Sequence, residues 1–454
     1  MEIIKPSTPR GMRDILPEKM LKRRLVMETI QRVFEKHGYE PLETPAIEKL
    51  EVLSGKYGDE GDQLIFKILK RGTDIEKVGR EISEFTFRDY KDIVDYALRY
   101  DLTVPLSRVI AMYQNEITLP FKRYQIQPVW RAERPQKGRY REFFQCDADT
   151  VGSASMMADA EIISLINEIL STLGFEQFKI RINNRKVLSG IVEYAGVQAD
   201  RGTEVCIAID KLEKIGLDGV KEELVKREIP QPSIDKILPI LEISGEMDTI
   251  LSDITQLLQV SEIGMAGVLE LEELIPLIHD LGVSEDNYTL DLYLARGLNY
   301  YTGPIYESVV ERPKIGSLTG GGRYDELVGM FLGRNIPATG TTIGIERIID
   351  VMTELNMLPE TKTTTQVLVT MFDEDTKKLS LQITRRLRDA GINTEVFFET
   401  GGLKKQFKYA DKKGIPYVII LGPDEVARNE VMLKNMISGE QTTTTLENVI
   451  AKLE

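Results

Sequence analysis

Two runs of strict alternation constrain this chain more than any other feature. Between residues 121 and 133, Arg123, Gln125, Gln127, Arg131 and Glu133 form a polar row, with Tyr124, Ile126, Pro128 and Trp130 between them. Between residues 144 and 149 the pattern repeats, with Gln145, Asp147 and Asp149 on one side and Phe144, Cys146 and Ala148 on the other. A period of two is that of a strand. The pair therefore predicts an antiparallel hairpin with charge on one face of a sheet, joined by a loop over residues 134–141. Pro128 has no amide to give to a ladder, which predicts a bulge or a sheet edge near it.

Charge sharpens this reading. The chain has a formal net charge of −14, which argues against a general nucleic-acid coat, because phosphate binding needs lysine and arginine. The hairpin is the local exception. Lys122, Arg123, Arg131, Arg134, Lys137, Arg139 and Arg141 face only Glu133 across residues 121–141. Such a cluster is either a solvated surface laced with salt bridges or the floor of a polar pocket. In the second case arginine would hold a phosphate and carboxylate would hold an amine.

At 454 residues the chain exceeds one ordinary domain, and its 42% hydrophobic and 29% charged content is that of a globular protein. No apolar run approaches the roughly 18 residues of a membrane span, and the first residues lack the apolar core of a signal peptide. Two cysteines, Cys146 and Cys206, make no disulfide framework, so a cytoplasmic chain is expected. The two histidines, His37 and His279, fall near the ends of predicted helices, where a cation complements the helix dipole. No metal site built from Cys and His is expected, and the histidines are not expected to carry the chemistry.

Helical periodicity predicts helices over residues 17–38 and 153–174, and a strand end turning into a helix over 97–113. Residues 185–275 are mostly helical in pattern, acidic, and interrupted at Pro230, Pro232 and Pro239; they read as an inserted module. Strands are predicted at 288–294 and 305–310. The triplet Gly320, Gly321 and Gly322 should precede a helix near Tyr324, and a strand over 341–345 should run into a helix near Glu346. Residues 360–365 read as a linker. Beyond it, strands and helices alternate as in a small α/β domain with a mainly parallel sheet. The expected boundaries are 1–184, 185–275, 276–359 and 364–454.

The glycine triplet lacks the spacing of a P-loop, and no GxGxxG opens a βαβ unit. Neither common nucleotide-binding fold is expected. As a phosphate loop the triplet is a weak signal, and a glycine-rich strand approached closely by a ligand is as good a reading.

Longer motifs now bear on function. WRAERPQKGRYREFFQCDADTVG, residues 130–152, resembles motif 2 of class II aminoacyl-tRNA synthetases in the form used by the histidyl-tRNA synthetase family. ARGLNYYTGPIYE (295–307) resembles that family's histidine signature, and TIGIERI (342–348) its motif 3. RGMRDILPE (10–18) and LRYDLTVPLSR (98–108) also match, and the last domain resembles the family's anticodon-binding domain. The resemblance spans nearly the whole chain. It implies an α+β catalytic domain with an antiparallel class II sheet of six or seven strands, a helical insertion, and a C-terminal α/β anticodon-binding domain. It also implies the reaction: the carboxylate of L-histidine attacks ATP, giving histidyl-adenylate, and the acyl group passes to tRNA(His). Magnesium would accompany ATP, and the family form is a homodimer.

By the same resemblance Arg131 binds the α-phosphate, Arg347 the γ-phosphate, and Arg296 lies against the α-phosphate and substrate carboxylate. Glu133 and Arg139 would contact ATP. Asp101, Thr103, Gln145 and Asp149 would receive the α-amino group, with Tyr300, Tyr301 and Tyr324 around the imidazole. Taken alone, Asp101 reads equally well as a helix cap. Arg134 and Gln136 would read the acceptor end. Lys404, Lys405 and Lys408 would touch the anticodon stem, against the plain reading of a solvated helix face. Asn299 departs from the family's aspartate, which puts any charge interaction there in doubt. The rival reading is the regulatory paralogue of ATP phosphoribosyltransferase, which binds histidine without charging tRNA and lacks the last domain.

Overall fold

A computed structural model describes residues 4–55, 58–72, 93–135, 138–295 and 300–454. Arg296, Asn299, Gln136 and Lys137 lie outside the described residues. The chain forms two compact units, one of residues 1–13 and 26–357 and the other of 14–25 and 358–454.

In chain order the first unit's strands are β1 (Glu40–Pro41), β2 (Ile47–Lys49), β3 (Lys67–Leu69), β4 (Val94–Leu98), β5 (Phe121–Trp130), β6 (Glu142–Val151), β7 (Lys179–Asn184), β8 (Tyr288–Leu290), β9 (Pro304–Val309), β10 (Thr319–Arg323) and β11 (Ala338–Ile343). Eight of them make one sheet, ordered β1-β5-β6-β11-β10-β9-β7-β8. The interior is antiparallel, as expected, but each edge adds a parallel strand, β1 on β5 and β8 on β7. Eight strands therefore replace the expected six or seven.

The β8 edge explains the inserted module. Parallel neighbours cannot be joined by a hairpin and need a long crossover. Between β7 and β8 run the helices Arg185–Tyr194, Gly202–Ile209, Leu212–Lys226, Gln231–Ile240, Met247–Leu258 and Glu262–Asp280. They bury an apolar cluster of their own that includes Val205, Ile209, Leu224, Ile234 and Ile237. Pro239 does not interrupt a helix as expected; it sits inside Gln231–Ile240, next to the last residue. Pro232 lies in the first turn, where the missing amide has no partner to lose.

One expectation is borne out in its second form and another is corrected. Pro128 pairs in register with Phe144 without a bulge, and it stands at an edge, since β1 pairs with β5 only at Arg123 and Tyr124. The backbone of Tyr124, Pro128 and Trp130 points away from β6: Leu42 N donates to Tyr124 O, Arg99 Nε to Pro128 O, and Trp130 N to Arg99 O. The missing amide is thus on the side that carries no β6 ladder bond. The glycine triplet does not precede a helix at Tyr324; it is the middle of β10. A Cβ on Gly321 would fall 2.0 Å from Gly340 O of β11, so the two strands can approach only because glycine stands there.

The helix Met156–Thr172 packs on the sheet with Ile162, Ile166, Ile169 and Leu170 fully buried, and Ser155 caps it by accepting from Met157 N at 3.2 Å. Each buried isoleucine or leucine contributes about 1.5–3 kcal/mol of transfer free energy.

In the second unit, β12 (Val367–Val369), β13 (Thr394–Val396), β14 (Tyr417–Ile420), β15 (Val431–Asn435) and β16 (Gln441–Thr444) are ordered β13-β12-β14-β15-β16. The first three are parallel, as the alternating pattern predicts, and β15 and β16 extend them antiparallel. The helices Lys377–Asp389, Leu403–Lys413 and Leu446–Leu453 complete the unit.

Candidate active site

Strand register assembles a polar row across the first sheet. Arg123 of β5 lies opposite Asp149 of β6, Gln125 opposite Asp147, and Gln127 opposite Gln145. The row continues into β11, where Gly340 faces Asp149 and Thr342 faces Asp147, and into β10 through Gly322 and Gly320. Residues directly opposite share a face, so the alternation read along the hairpin becomes a floor four strands wide. Gly340 is required there: a Cβ would fall 2.0 Å from Asp149 Oδ1.

Above this floor lies a cavity of about 780 Å³. Asp101, Thr103, Arg131, Glu133, Arg134, Arg139, Gln145, Asp149, Tyr300, Tyr301, Tyr324 and Arg347 all line it. Every described first-unit residue expected from the resemblance therefore meets in one place.

One end of the cavity is acidic and aromatic. Asp147 and Asp149 are buried, as is Asp101. Burial raises the pKa of Asp149, opposed by Arg123 and by the hydroxyl of Tyr324, which donates to Asp149 Oδ1. Burial likewise pushes Asp147 up to about 7, with Arg123 opposing and Asp149 reinforcing. An arriving ammonium would stabilise these carboxylates in their ionised form. Asp101 Oδ1 accepts from Val104 N at 3.2 Å, so it caps the helix Thr103–Met112 and lines the cavity at once. The rings of Tyr300 and Tyr301 stand 4.8 Å apart, and Tyr324 meets Tyr300 edge-on at 6.0 Å.

The other end carries the arginines. Arg131 donates from Nε to Tyr100 O at 3.1 Å and lies 4.4 Å from the Tyr100 ring and 5.2 Å from that of Phe143. Both ring contacts fix the guanidinium plane and leave its charge without a carboxylate partner among these groups. Arg347 donates from Nη1 to Ser317 O at 2.7 Å. Arg139 is about half exposed, 3.7 Å from Glu133.

Both alternatives offered for the basic cluster are present in part, since some of its charges are paired within the fold. Arg123 forms a buried ion pair with Asp149 at 2.9 Å, and Lys122 pairs with Glu161. Arg141 donates from Nε to Glu133 O at 2.9 Å. These three basic residues thus serve the fold.

Part of the lining has no role in the sequence reading, which places Asp147 on the polar face and assigns it nothing. Tyr100, Tyr140, Thr342 and Glu346 also line the cavity. Glu346 is held by Arg13 at 2.8 Å, while Arg13 covers the Tyr140 ring at 3.2 Å. The RGMRD segment that carries Arg13 is a usable signal; the position of Thr342 beside Asp147 depends on strand pairing.

Lys404, Lys405 and Lys408 belong to the second unit, on the helix Leu403–Lys413. Lys404 and Lys408 are exposed, and Lys405 pairs with Glu399. Among the described residues no group of three or more His, Cys, Asp or Glu could hold a metal ion, and no helix is long and apolar enough to cross a membrane.

A largely antiparallel sheet carrying carboxylates and arginines around one cavity, with a separate α/β unit following, is the architecture of the class II aminoacyl-tRNA synthetases. Residues 11–348 match the family model described as histidyl-tRNA synthetase, and residues 366–454 that of an anticodon binding domain. A histidine–tRNA ligase of Cytophaga hutchinsonii is 47% identical over 451 residues, 99% of each chain. One from Christiangramia forsetii is 45% identical over 96% of this chain and 97% of its own. The crystal structure of histidyl-tRNA synthetase from Nostoc sp. PCC 7120 superposes with a TM-score of 0.84 at 36% identity, covering 99% of each chain. The chain belongs to the histidyl-tRNA synthetase family. A structure from Bacillus halodurans C, described as an ATP phosphoribosyltransferase regulatory subunit/histidyl-tRNA synthetase, shares the fold with a TM-score of 0.72 at 22% identity.

Proposed function

We propose that this chain is a histidine–tRNA ligase, which activates L-histidine with ATP and transfers it to tRNA(His). The observation that carries the reading is the polarity of the cavity. Its acidic, tyrosine-lined end suits a small amino acid with a polar ring, and its arginine end suits polyphosphate.

Asp101, Thr103, Gln145 and Asp149 receive the α-amino group, and Tyr300, Tyr301 and Tyr324 surround the imidazole. The histidine carboxylate is already a nucleophile, so no general base is needed. The barrier falls through positioning and through charge placed where it develops. Arg131 holds the α-phosphate and Arg347 the γ-phosphate, with Glu133 and Arg139 also contacting ATP. Arg296 is assigned to the α-phosphate and the substrate carboxylate from its motif alone. Magnesium would come with ATP and would supply charge neutralisation on the departing pyrophosphate.

Arg134 and Gln136 read the acceptor end, and Lys404, Lys405 and Lys408 touch the anticodon stem. The protein works as a cytoplasmic homodimer. Residues 366–454, which match an anticodon-binding domain, and relatives named histidine–tRNA ligase at 45–47% identity favour the ligase over the regulatory paralogue. ATP–pyrophosphate exchange tests the proposal: exchange should depend on histidine, and its absence with pure protein would sink the ligase reading.

A further inference from the structure

Three side chains on the cavity floor form a directional hydrogen-bond relay. Gln145 donates from Nε2 to Thr342 Oγ1 at 3.0 Å, and Thr342 donates its hydroxyl proton to Asp147 Oδ1. Gln145 Oε1 is buried and accepts nothing among the described residues. The direction is set by proton count. With Asp147 ionised, the state that an arriving ammonium favours, its carboxylate can only accept, and a hydroxyl has one proton. With that proton committed to Asp147, Thr342 Oγ1 can only accept from Gln145, which fixes which end of the amide faces it.

We infer that Asp147 and Thr342 are positioning residues for amino-acid binding, because their relay holds the Gln145 amide with its carbonyl oxygen free for the substrate ammonium. This rests on the proposed role of Gln145 at the α-amino group. Without the relay the amide can turn over and offer its NH₂ to a cation, which repels it. An acceptor left unpartnered inside a protein is costly, so the free oxygen marks a place whose partner comes with the ligand. Arg123 from β5, Asp149 from β6 and Asp101 before the helix Thr103–Met112 are the other charged groups acting on Asp147. None of them supplies the missing donor to Gln145.

The test is histidine-dependent pyrophosphate exchange with KM read separately for histidine and ATP. Thr342→Val keeps the shape and removes the relay. It should raise the histidine KM by about 10-fold or more, the scale of one hydrogen bond to a charged group, and leave the ATP KM within about 2-fold. Thr342→Ser should restore it. Asp147→Ala, which removes the acceptor of the Thr342 proton and serves if the valine variant folds poorly, should show the same split. In the double variant with Gln145→Ala, Thr342→Val should add nothing, since its effect runs through Gln145. A histidine KM unchanged in Thr342→Val and Asp147→Ala, effects that multiply with Gln145→Ala, or a rise in both KM values that serine does not restore would each overturn the inference. If the unaltered chain shows no histidine-dependent exchange, the ligase reading falls and takes this with it.

Discussion

Arg123 Nη2 stands 2.9 Å from Asp149 Oδ2, both side chains buried in the polar row that forms the cavity floor. This ion pair joins β5 to β6 and places one positive charge beside two buried carboxylates. Removing one partner of a buried pair leaves the other charge unsolvated, which costs about 3–5 kcal/mol. Arg123→Met should therefore lower the thermal midpoint sharply, as read by calorimetry. A midpoint within a degree or two of the unaltered protein would show that the carboxylates are already neutral without it.

Arg131 has its plane fixed by Tyr100 and Phe143 and carries no structural ion pair among those groups. Arg131→Ala should lower the rate of adenylate formation by about 10²–10³, the usual scale for losing one preorganised donor at developing charge. The fold should survive, as judged by circular dichroism. Near-normal exchange would remove Arg131 from the reacting phosphate.

The buried acids set a pH dependence of stability. Burial raises Asp147 to about 7 and Asp159 and Asp291 to about 6, well above the ordinary aspartate value of 3.8. An acid with a raised folded-state pKa binds its proton more tightly when folded. Its contribution is fully present below the unfolded value and is lost as pH rises through the folded one. The ligand-free protein should thus lose stability from about pH 4 towards about pH 7–8 through these groups. Asp147→Asn should flatten the upper part of that decline, between about pH 6 and 8. Thermal melts across this range decide it; an unchanged slope would mean that Asp147 is ionised throughout.

The lysines of the second unit lie on one helix, away from the chemistry in sequence. Replacing Lys404, Lys405 and Lys408 by alanine should leave pyrophosphate exchange unaltered and weaken tRNA binding. For every phosphate that goes unneutralised, the slope of log K against log salt should shrink by about 0.7–0.9. An unchanged slope would return the three to an ordinary solvated face, the role that Lys405 already has in part through Glu399.

How much of the molecule is legible in its sequence follows the range of the forces involved. Strand and helix positions depend on local periodicity, and those over residues 121–151, 156–172 and 367–420 match their sequence patterns closely. Gly320 to Gly322 are legible as a glycine-rich strand but mislead on the helix expected at Tyr324, because glycine marks either a loop or a close approach. Only the Cβ that would strike Gly340 O tells these apart. Pro128 announces an edge correctly, because a residue without an amide is tolerated only where no ladder needs one.

The hairpin pattern in the sequence by itself determined a polar face against an apolar one, and the motifs determined the family. Tertiary structure alone decided which charges were spent within the fold. Arg123 and Lys122 are paired with carboxylates while Arg131 is stacked on aromatic rings. It also decided that Thr342, about two hundred positions from Asp147, completes the floor. The physical reason is that alternation is a property of one strand, whereas pairing a charge or orienting an amide needs atoms from neighbouring strands within hydrogen-bond reach, and only register brings them there.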